Sequence, residues 1–424
     1  MASASIRKAF SGRYQVHWRL NDGSRGGRTF DRHADAVEFK NRLLANEADA
    51  SWIDPRRGRV AFGEWLDQWW TVWSSRRLSP KTLQCAEGRL RRYLRPAFGH
   101  KRLGQITPSV VQRWQNELEA TKSHDVVMAC RWLLNSVMQA AVNERLIADN
   151  PVRSVPAPKR PVDPEVIFSG AKTRTFTAEE FGELLVGAPR YQRDHLLILV
   201  GTGLRAGEFC GMRARRVKLD RQRLEVLDTR YEAGKTFGTG YKDRPKSPAG
   251  IRTVPLAPLV AEAVARQLPP ADDPDALAFT GPGGGRWVAV GERRTALSVS
   301  NLRRSYKLAV ARARKRGRLG HLHPKGPHDL RHTFATWLED AGIPARVIDE
   351  LMGHGSGRAS RLGEQRGSQI GTVYRHTTAA MEARVRATIN ERLALAVKVA
   401  DEVPMEADKP SQREALLAAH EEGP

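Results

Sequence analysis

The chain has 424 residues, 40% of them hydrophobic, and no uninterrupted apolar run approaches the ~20 residues that cross a bilayer. That length and composition exclude a disordered chain and predict roughly two to four domains with cores of their own. A formal net charge of +23, from 70 Lys+Arg against 47 Asp+Glu, points to a polyanionic partner, with nucleic acid first through phosphate neutralisation and counterion release.

A membrane surface is the competing partner. It is the weaker reading, because the basic residues are spread through the chain and not gathered on one amphipathic helix. Arg outnumbers Lys by 54 to 16, which suits bidentate phosphate contact but fits coding-sequence composition better. Met1 to Phe10 lacks the apolar segment of a secretory signal, so the expected location is the cytoplasm. Cys85, Cys130 and Cys210 are far apart and odd in number, which predicts packing residues in a reducing compartment, without a zinc or disulfide framework.

In chain order, Arg13 to Leu20 alternates like a strand, Asn21-Asp22-Gly23 is a hairpin turn signal, and a second strand near Arg28–Phe30 leads to a helix over about 34–47. Such a basic sheet-plus-helix module over 1–54 fits a small DNA-binding domain, with a structural hairpin as the alternative. Residues 55–59 read as a linker. Phe62, Trp65, Leu66, Trp69 and Trp70 then recur at helical spacing, a stripe that predicts a core face rather than a base-stacking platform. Ser79-Pro80 and Thr107-Pro108 each predict an N-cap with proline at the first helical position. Helices are expected near 80–95, 108–120 and 125–147, within a helical domain spanning 60–150. Arg89, Arg91, Arg92 and Arg95 are candidate phosphate contacts, a solvated face being the default for any one of them.

Five prolines between 151 and 164 mark a second linker, taken as 151–172, with Lys159 and Arg160 inside it. Thr177 to Glu180 forms a capping box that opens the last domain, expected over 173–400, with strands near 217–228 and 251–255. The tail, 401–424, turns acidic and is expected to be mobile or to form a docking helix.

Chemistry gathers in the last domain. Gly201 to Glu208 (GTGLRAGE) sets Arg205 after a glycine-rich turn that starts a helix. Lys246 lies in a polar stretch before the strand at Ile251–Pro255, with Lys242 close by. His328 to Thr336 (HDLRHTFAT) puts His328 and Arg331 at i and i+3 on one helix face. Leu351 to His354 (LMGH) ends a helix that Pro344 begins, and Tyr374 is the only tyrosine beyond His354. Singly, each has a bland explanation. His328 and His332 have a metal-binding spacing, but the adjacent Arg331 would repel a cation.

As an ordered set, these motifs resemble the tyrosine recombinases, the phage-integrase family, over about 173–390. Residues 60–150 resemble that family's core-binding domain, and residues 1–54 its arm-binding domain. The fold class implied is multidomain and mainly α with small β elements, ending in a mixed α+β catalytic domain. Carried over motif by motif, the resemblance makes Arg205, Lys246, His328, Arg331 and His354 the catalytic residues and Tyr374 the nucleophile. One departure stands out: Tyr374 follows His354 by 20 positions, longer than the family's usual gap, which allows delivery of the tyrosine in cis or in trans.

The implied reaction is transesterification at a DNA phosphodiester. Two guanidinium forks suit the charge that develops on the phosphate oxygens. The phenol has a reference pKa of about 10, so it needs a base and a cationic pocket. The product, a 3′-phosphotyrosyl bond, needs no ATP and no cofactor to rejoin, in keeping with the lack of a Walker loop or a two-metal acidic cluster.

Implied partners are double-stranded attachment sites and three further copies of the chain on synapsed DNA, with an excisionase and a DNA-bending protein as possible accessories and no membrane. The expected setting is then the nucleoid. Arg13, Arg19, Arg89, Arg92, Lys159 and Arg160 are the candidate DNA contacts. The reading that follows is an integrase of a mobile element. A housekeeping resolvase of chromosome dimers, a type IB topoisomerase and a non-catalytic DNA-binding protein are its rivals.

Overall fold

A computed structural model describes residues 3–19, 23, 25–48, 57–160, 175–242, 248–269, 273–281, 295–320, 322, 324–354 and 377–403. The chain divides into two compact units, residues 1–162 and 163–424.

At the start of the first unit, β1 (Ser3–Lys8), β2 (Tyr14–Arg19) and β3 (Arg25–Phe30) form an antiparallel sheet, followed by α1 (His33–Ala48). On β2 the alternation works as read: Val16 and Trp18 are buried while His17 and Arg19 face solvent. Gly26 sits opposite Trp18, where any Cβ would fall 2.3 Å from the indole, so the ring lies across the sheet and reaches Phe39 of α1. The strand β1 escaped the sequence reading because its apolar side chains, Ala4 and Ile6, are too few to show a period.

The helical part of this unit comprises α2 (Phe62–Ser74), α3 (Pro80–Arg89), α4 (Arg95–Phe98), α5 (Pro108–Glu119) and α6 (His124–Asn143). Phe62, Trp65, Leu66 and Trp69 are buried together with Trp73, and Trp70 packs half-buried against them, so the stripe is a core face. Ser79 and Thr107 accept the capping bonds from Thr82 N and Val110 N. Between α3 and α4 the ladder widens into a π-helical turn, Leu90–Leu94, just before Pro96, which has no N–H to donate back.

Two expected linkers are partly core. Gly58 is buried in a short 3₁₀ turn against Gly104 and Leu146. Val152 and Val155 are also buried, their carbonyls caught by the Arg131 guanidinium, which also donates to Gln115 at 2.8 Å. The chain therefore stays on the helical domain until about Pro156, because the half-buried Arg131 guanidinium needs those carbonyls.

In the second unit, the capping box at Thr177 and Glu180 is formed and starts α7 (Ala178–Gly187). Next come α8 (Arg190–Thr202) and α9 (Ala206–Gly211), then β4 (Val217–Lys218), β5 (Arg223–Val226), β6 (Thr229–Glu232), α10 (Gly234–Phe237), β7 (Thr239–Lys242) and β8 (Arg252–Pro255). The strand expected over 217–228 is two strands, turned at Gln222 with φ +49°. β5 pairs antiparallel with both β4 and β8, and β6 with β7 forms a separate hairpin.

The remaining elements are α11 (Pro258–Gln267), the short strands β9 (Thr280–Gly281) and β10 (Thr295–Ala296), α12 (Val299–Lys315), α13 (His328–Asp340), α14 (Ala345–Met352) and α15 (Ala379–Glu402). One apolar core runs from Phe176 through Leu196–Val200, Phe334 and Trp337 to Leu393 and Ala396. Asp401 and Glu402 end α15, and residues 404–424 of the acidic tail lie outside the described residues. Among the described residues no helix is long and apolar enough to cross a membrane.

Candidate active site

Four distant stretches of the second unit meet where α8 and α14 end. Gly203 terminates α8 in the left-handed conformation, φ +62°, and a Cβ there would sit 2.6 Å from Cδ1 of Phe334. The turn leaves its carbonyl free to accept from Nη1 of Arg331 at 2.6 Å. Gly203→Ala is therefore expected to cost roughly 1–3 kcal/mol of stability, read as a lower midpoint in urea unfolding, through both the clash and the unfavourable φ.

Arg205 follows as the N-cap of α9, extended at φ −70° and ψ 149°. Glu208 lies three residues on. Its carboxylate accepts from the Arg205 backbone N–H at 2.9 Å and from Nη1 of Arg205 at 2.7 Å, while Nη2 of Arg205 reaches the Gly353 carbonyl at 3.4 Å. Burial pushes the Glu208 carboxyl up. The two arginines, Arg252 foremost, outweigh that and bring it down to about 2.

Arg331 is 1% exposed on the inner face of α13. Besides Gly203 it donates to the Met352 carbonyl, and Nη2 lies 3.4 Å from Nε2 of His354. Burial, then repulsion from Arg205 and Arg252, lowers it to about 9, so it remains cationic at neutral pH. The start of its helix is pinned by Asp329, which accepts from the N–H groups of Lys325 and Gly326 at 2.5 and 2.9 Å.

His354 follows Gly353, which is left-handed at φ +61°. Its Nδ1 is 3.2 Å from Asp349, so the surrounding bonds assign the proton to Nδ1 and leave Nε2 as an acceptor facing Arg331. Desolvation leads its pKa downward and the Arg331 charge adds to that, against the Asp349 bond. His328, exposed at the first position of α13, packs edge-on against His332 with ring centres 4.7 Å apart. Desolvation and then the charges of His332 and Arg331 lower it too. Two imidazoles whose proton affinity is lowered, by desolvation first and by nearby positive charge second, stand beside two guanidinium forks in a pocket suited to an anion.

Of the six expected catalytic residues, the structure brings Arg205, Arg331 and His354 together, with His328 one helical turn from Arg331. Lys246 and Tyr374 lie outside the described residues. Lys242, the neighbouring candidate, ends β7 with Nζ 5.9 Å from the centre of the Tyr231 ring. Thr377, three residues past Tyr374, donates to Glu350 on α14 at 2.9 Å.

The candidate DNA contacts fall elsewhere, in the first unit. Arg19 is exposed at the end of β2, and Arg13 is paired with Asp31 at 2.7 Å. Arg89 is half-buried beside Lys81 and Trp132 in a groove of about 480 Å³, and Arg92 is exposed. Lys159 is exposed, and Arg160 pairs with Asp125 at 2.6 Å. Sequence reasoning missed Glu208 and Arg252 as parts of the site. The Arg-x-x-Glu spacing of a capping box was the available signal for Glu208. Nothing local marks Arg252.

Comparison with known proteins bears on the whole arrangement. Residues 175–361 match the phage integrase family, and residues 61–119 match the phage integrase N-terminal SAM-like domain. The chain belongs to the phage integrase family of tyrosine recombinases.

The recombinase is 27% identical to a tyrosine recombinase XerC-like protein of Caldanaerobacter subterraneus subsp. tengcongensis over 314 residues, covering 70% of this chain and 76% of that one. It is 29% identical to tyrosine recombinase XerC of Mycobacterium tuberculosis over 264 residues, covering 61% and 79%. In fold it is similar to the Tn1549 transposon integrase, with a TM-score of 0.54 at 18% identity over 74% of this chain and 97% of that one. It is also similar to lambda integrase, solved as a tetramer bound to a Holliday junction, with a TM-score of 0.54 at 18% identity over 86% and 98%. The recombinase is accordingly a DNA strand-transferring enzyme with a multidomain, mainly helical fold.

Proposed function

We propose that this recombinase is the integrase of a mobile genetic element, cutting and rejoining double-stranded attachment sites through a 3′-phosphotyrosyl intermediate. The Tyr374 oxygen forms the bond to phosphorus as the bond to the 5′ oxygen breaks. His328, neutral near pH 7, takes the phenol proton, and Lys246 gives one to the departing 5′ oxygen. Arg205 and Arg331 bind the non-bridging oxygens, where charge grows. An entering phosphate also raises the pKa of His354, so that Nε2 gains the proton it needs to donate. Regaining the 5′ hydroxyl reverses each transfer.

The observation that carries the catalytic half is the convergence of Arg205, Arg331 and His354 on the ends of α8 and α14. The tie from Thr377 to Glu350 anchors the chain just past Tyr374 on the helix that leads to His354, which favours this tyrosine. Since lambda integrase has been solved as a dimer bound to a core site and as a tetramer bound to a Holliday junction, we extend to this chain a tetramer on synapsed duplexes. An excisionase and a bending protein are proposed as its accessories.

The integrase role over a housekeeping one rests on the sheet-plus-helix module at residues 3–48, which precedes the matched SAM-like segment starting at residue 61. Its exposed Arg19, Arg25 and Arg28 suit a second, distal DNA contact that raises local concentration at the core site. Footprinting on the DNA flanking the gene should show core and distal sites for the full chain. Deleting residues 1–50 should remove only the distal protection and leave core cleavage intact. Protection confined to one class of site, or equal loss at both, favours the housekeeping reading.

A further inference from the structure

Arg252 opens β8, the strand that follows Lys246, and is not among the six expected catalytic residues. Its side chain is 2% exposed. Nη1 and Nη2 donate to the two carboxylate oxygens of Glu208 at 3.1 and 2.8 Å, and Nε donates to the Leu351 carbonyl at 2.6 Å. Gly353 packs directly on this side chain, since a Cβ there would lie 3.1 Å from Nη1 and 3.2 Å from Cδ of Arg252.

Three successive carbonyls at the end of α14 are thus each taken by a guanidinium from a different part of the chain. Leu351 goes to Arg252, Met352 to Arg331 and Gly353 to Arg205. The last carbonyls of a helix have no partner within it and carry the negative end of its dipole, so they collect cations. Of the three arginines, Arg252 alone also holds Glu208 with two donors, and Glu208 in turn holds Arg205 at both backbone and side chain.

We infer that Arg252 is a positioning residue for strand transfer, fixing Arg205 against His354 through Glu208 and the Leu351 carbonyl without touching DNA. This rests on the proposed role of Arg205. A buried ion pair can also be purely structural, and removing one partner then lowers stability alone. The two roles separate by chemistry. A methylphosphonate at the scissile position lacks one anionic oxygen and has less need of a cation, whereas a structural defect is blind to that change.

The test is single-turnover cleavage of nicked duplexes at saturating protein, with phosphate or methylphosphonate at the scissile position, for the parent, Arg205→Ala, Arg252→Met and Arg252→Lys. Arg252→Met should cleave the phosphate substrate about 10- to 100-fold more slowly with duplex affinity within about threefold, and most of the defect should vanish on the methylphosphonate, as for Arg205→Ala. Arg252→Lys keeps the charge but cannot span Glu208 and Leu351 at once, so it should fall between, and it carries the comparison if the Met variant fails to fold. Equal losses on both substrates, or no loss, would overturn the inference. Parental cleavage by Arg205→Ala would remove the reading of Arg205 first and the inference with it.

Discussion

Tyr374→Phe is expected to abolish the covalent protein–DNA adduct that a nicked suicide substrate traps. The substitution removes one oxygen and keeps the ring, so duplex affinity should stay within about twofold of the parent in a gel-shift titration, since no phosphate contact is lost. The effect should be total, because no other tyrosine follows His354 and a phenylalanine ring has no atom to bond to phosphorus. An adduct that survived in the variant would place the nucleophile elsewhere. Mixing Tyr374→Phe with an Arg331→Ala chain also decides delivery. Restored cleavage in the mixture would mean that the tyrosine acts in a neighbouring subunit's pocket, and its absence would mean that each pocket uses its own.

Arg331→Ala should be nearly as severe for chemistry and, unlike Tyr374→Phe, should also weaken the fold. Loss of one well-placed donor to a developing oxyanion typically costs about 10²–10³ in rate. Arg331 is the buried cation beside His354, so the cleavage rate should drop at least that far. The carbonyls of Gly203 and Met352 lose their buried partner at the same time. Each orphaned group costs about 1–3 kcal/mol, so the thermal midpoint should fall measurably. Arg331→Lys should recover part of the stability but little of the rate, because one ammonium cannot serve both carbonyls and a phosphate. Cleavage by Arg331→Ala at near-parental rate would remove this residue from the mechanism.

Much of this was legible in the sequence because it was local. The Trp65–Leu66–Trp69 spacing fixed a helix face, Ser79, Thr107 and Thr177 announced their helices, and the motifs around Arg205, Arg331 and His354 carried a family pattern. The less legible parts depend on contacts between distant segments. The core status of Val152 and Val155 comes from Arg131 on another helix. The hairpin of β6 and β7 has half-buried faces without clean alternation, so its sequence shows no strand period. Arg252 matters through Glu208 and Leu351, 44 and 99 positions away, and no window along the chain contains those three together.

The gathering of guanidinium groups around the end of α14 sets durability against turnover in this protein. Replacing a buried, hydrogen-bonded charge cluster with well-packed apolar side chains is often neutral or stabilising. A search for heat-resistant variants would therefore be drawn to positions 205, 208, 252 and 331, where such exchanges could toughen the chain while emptying the pocket of the charge it exists to hold.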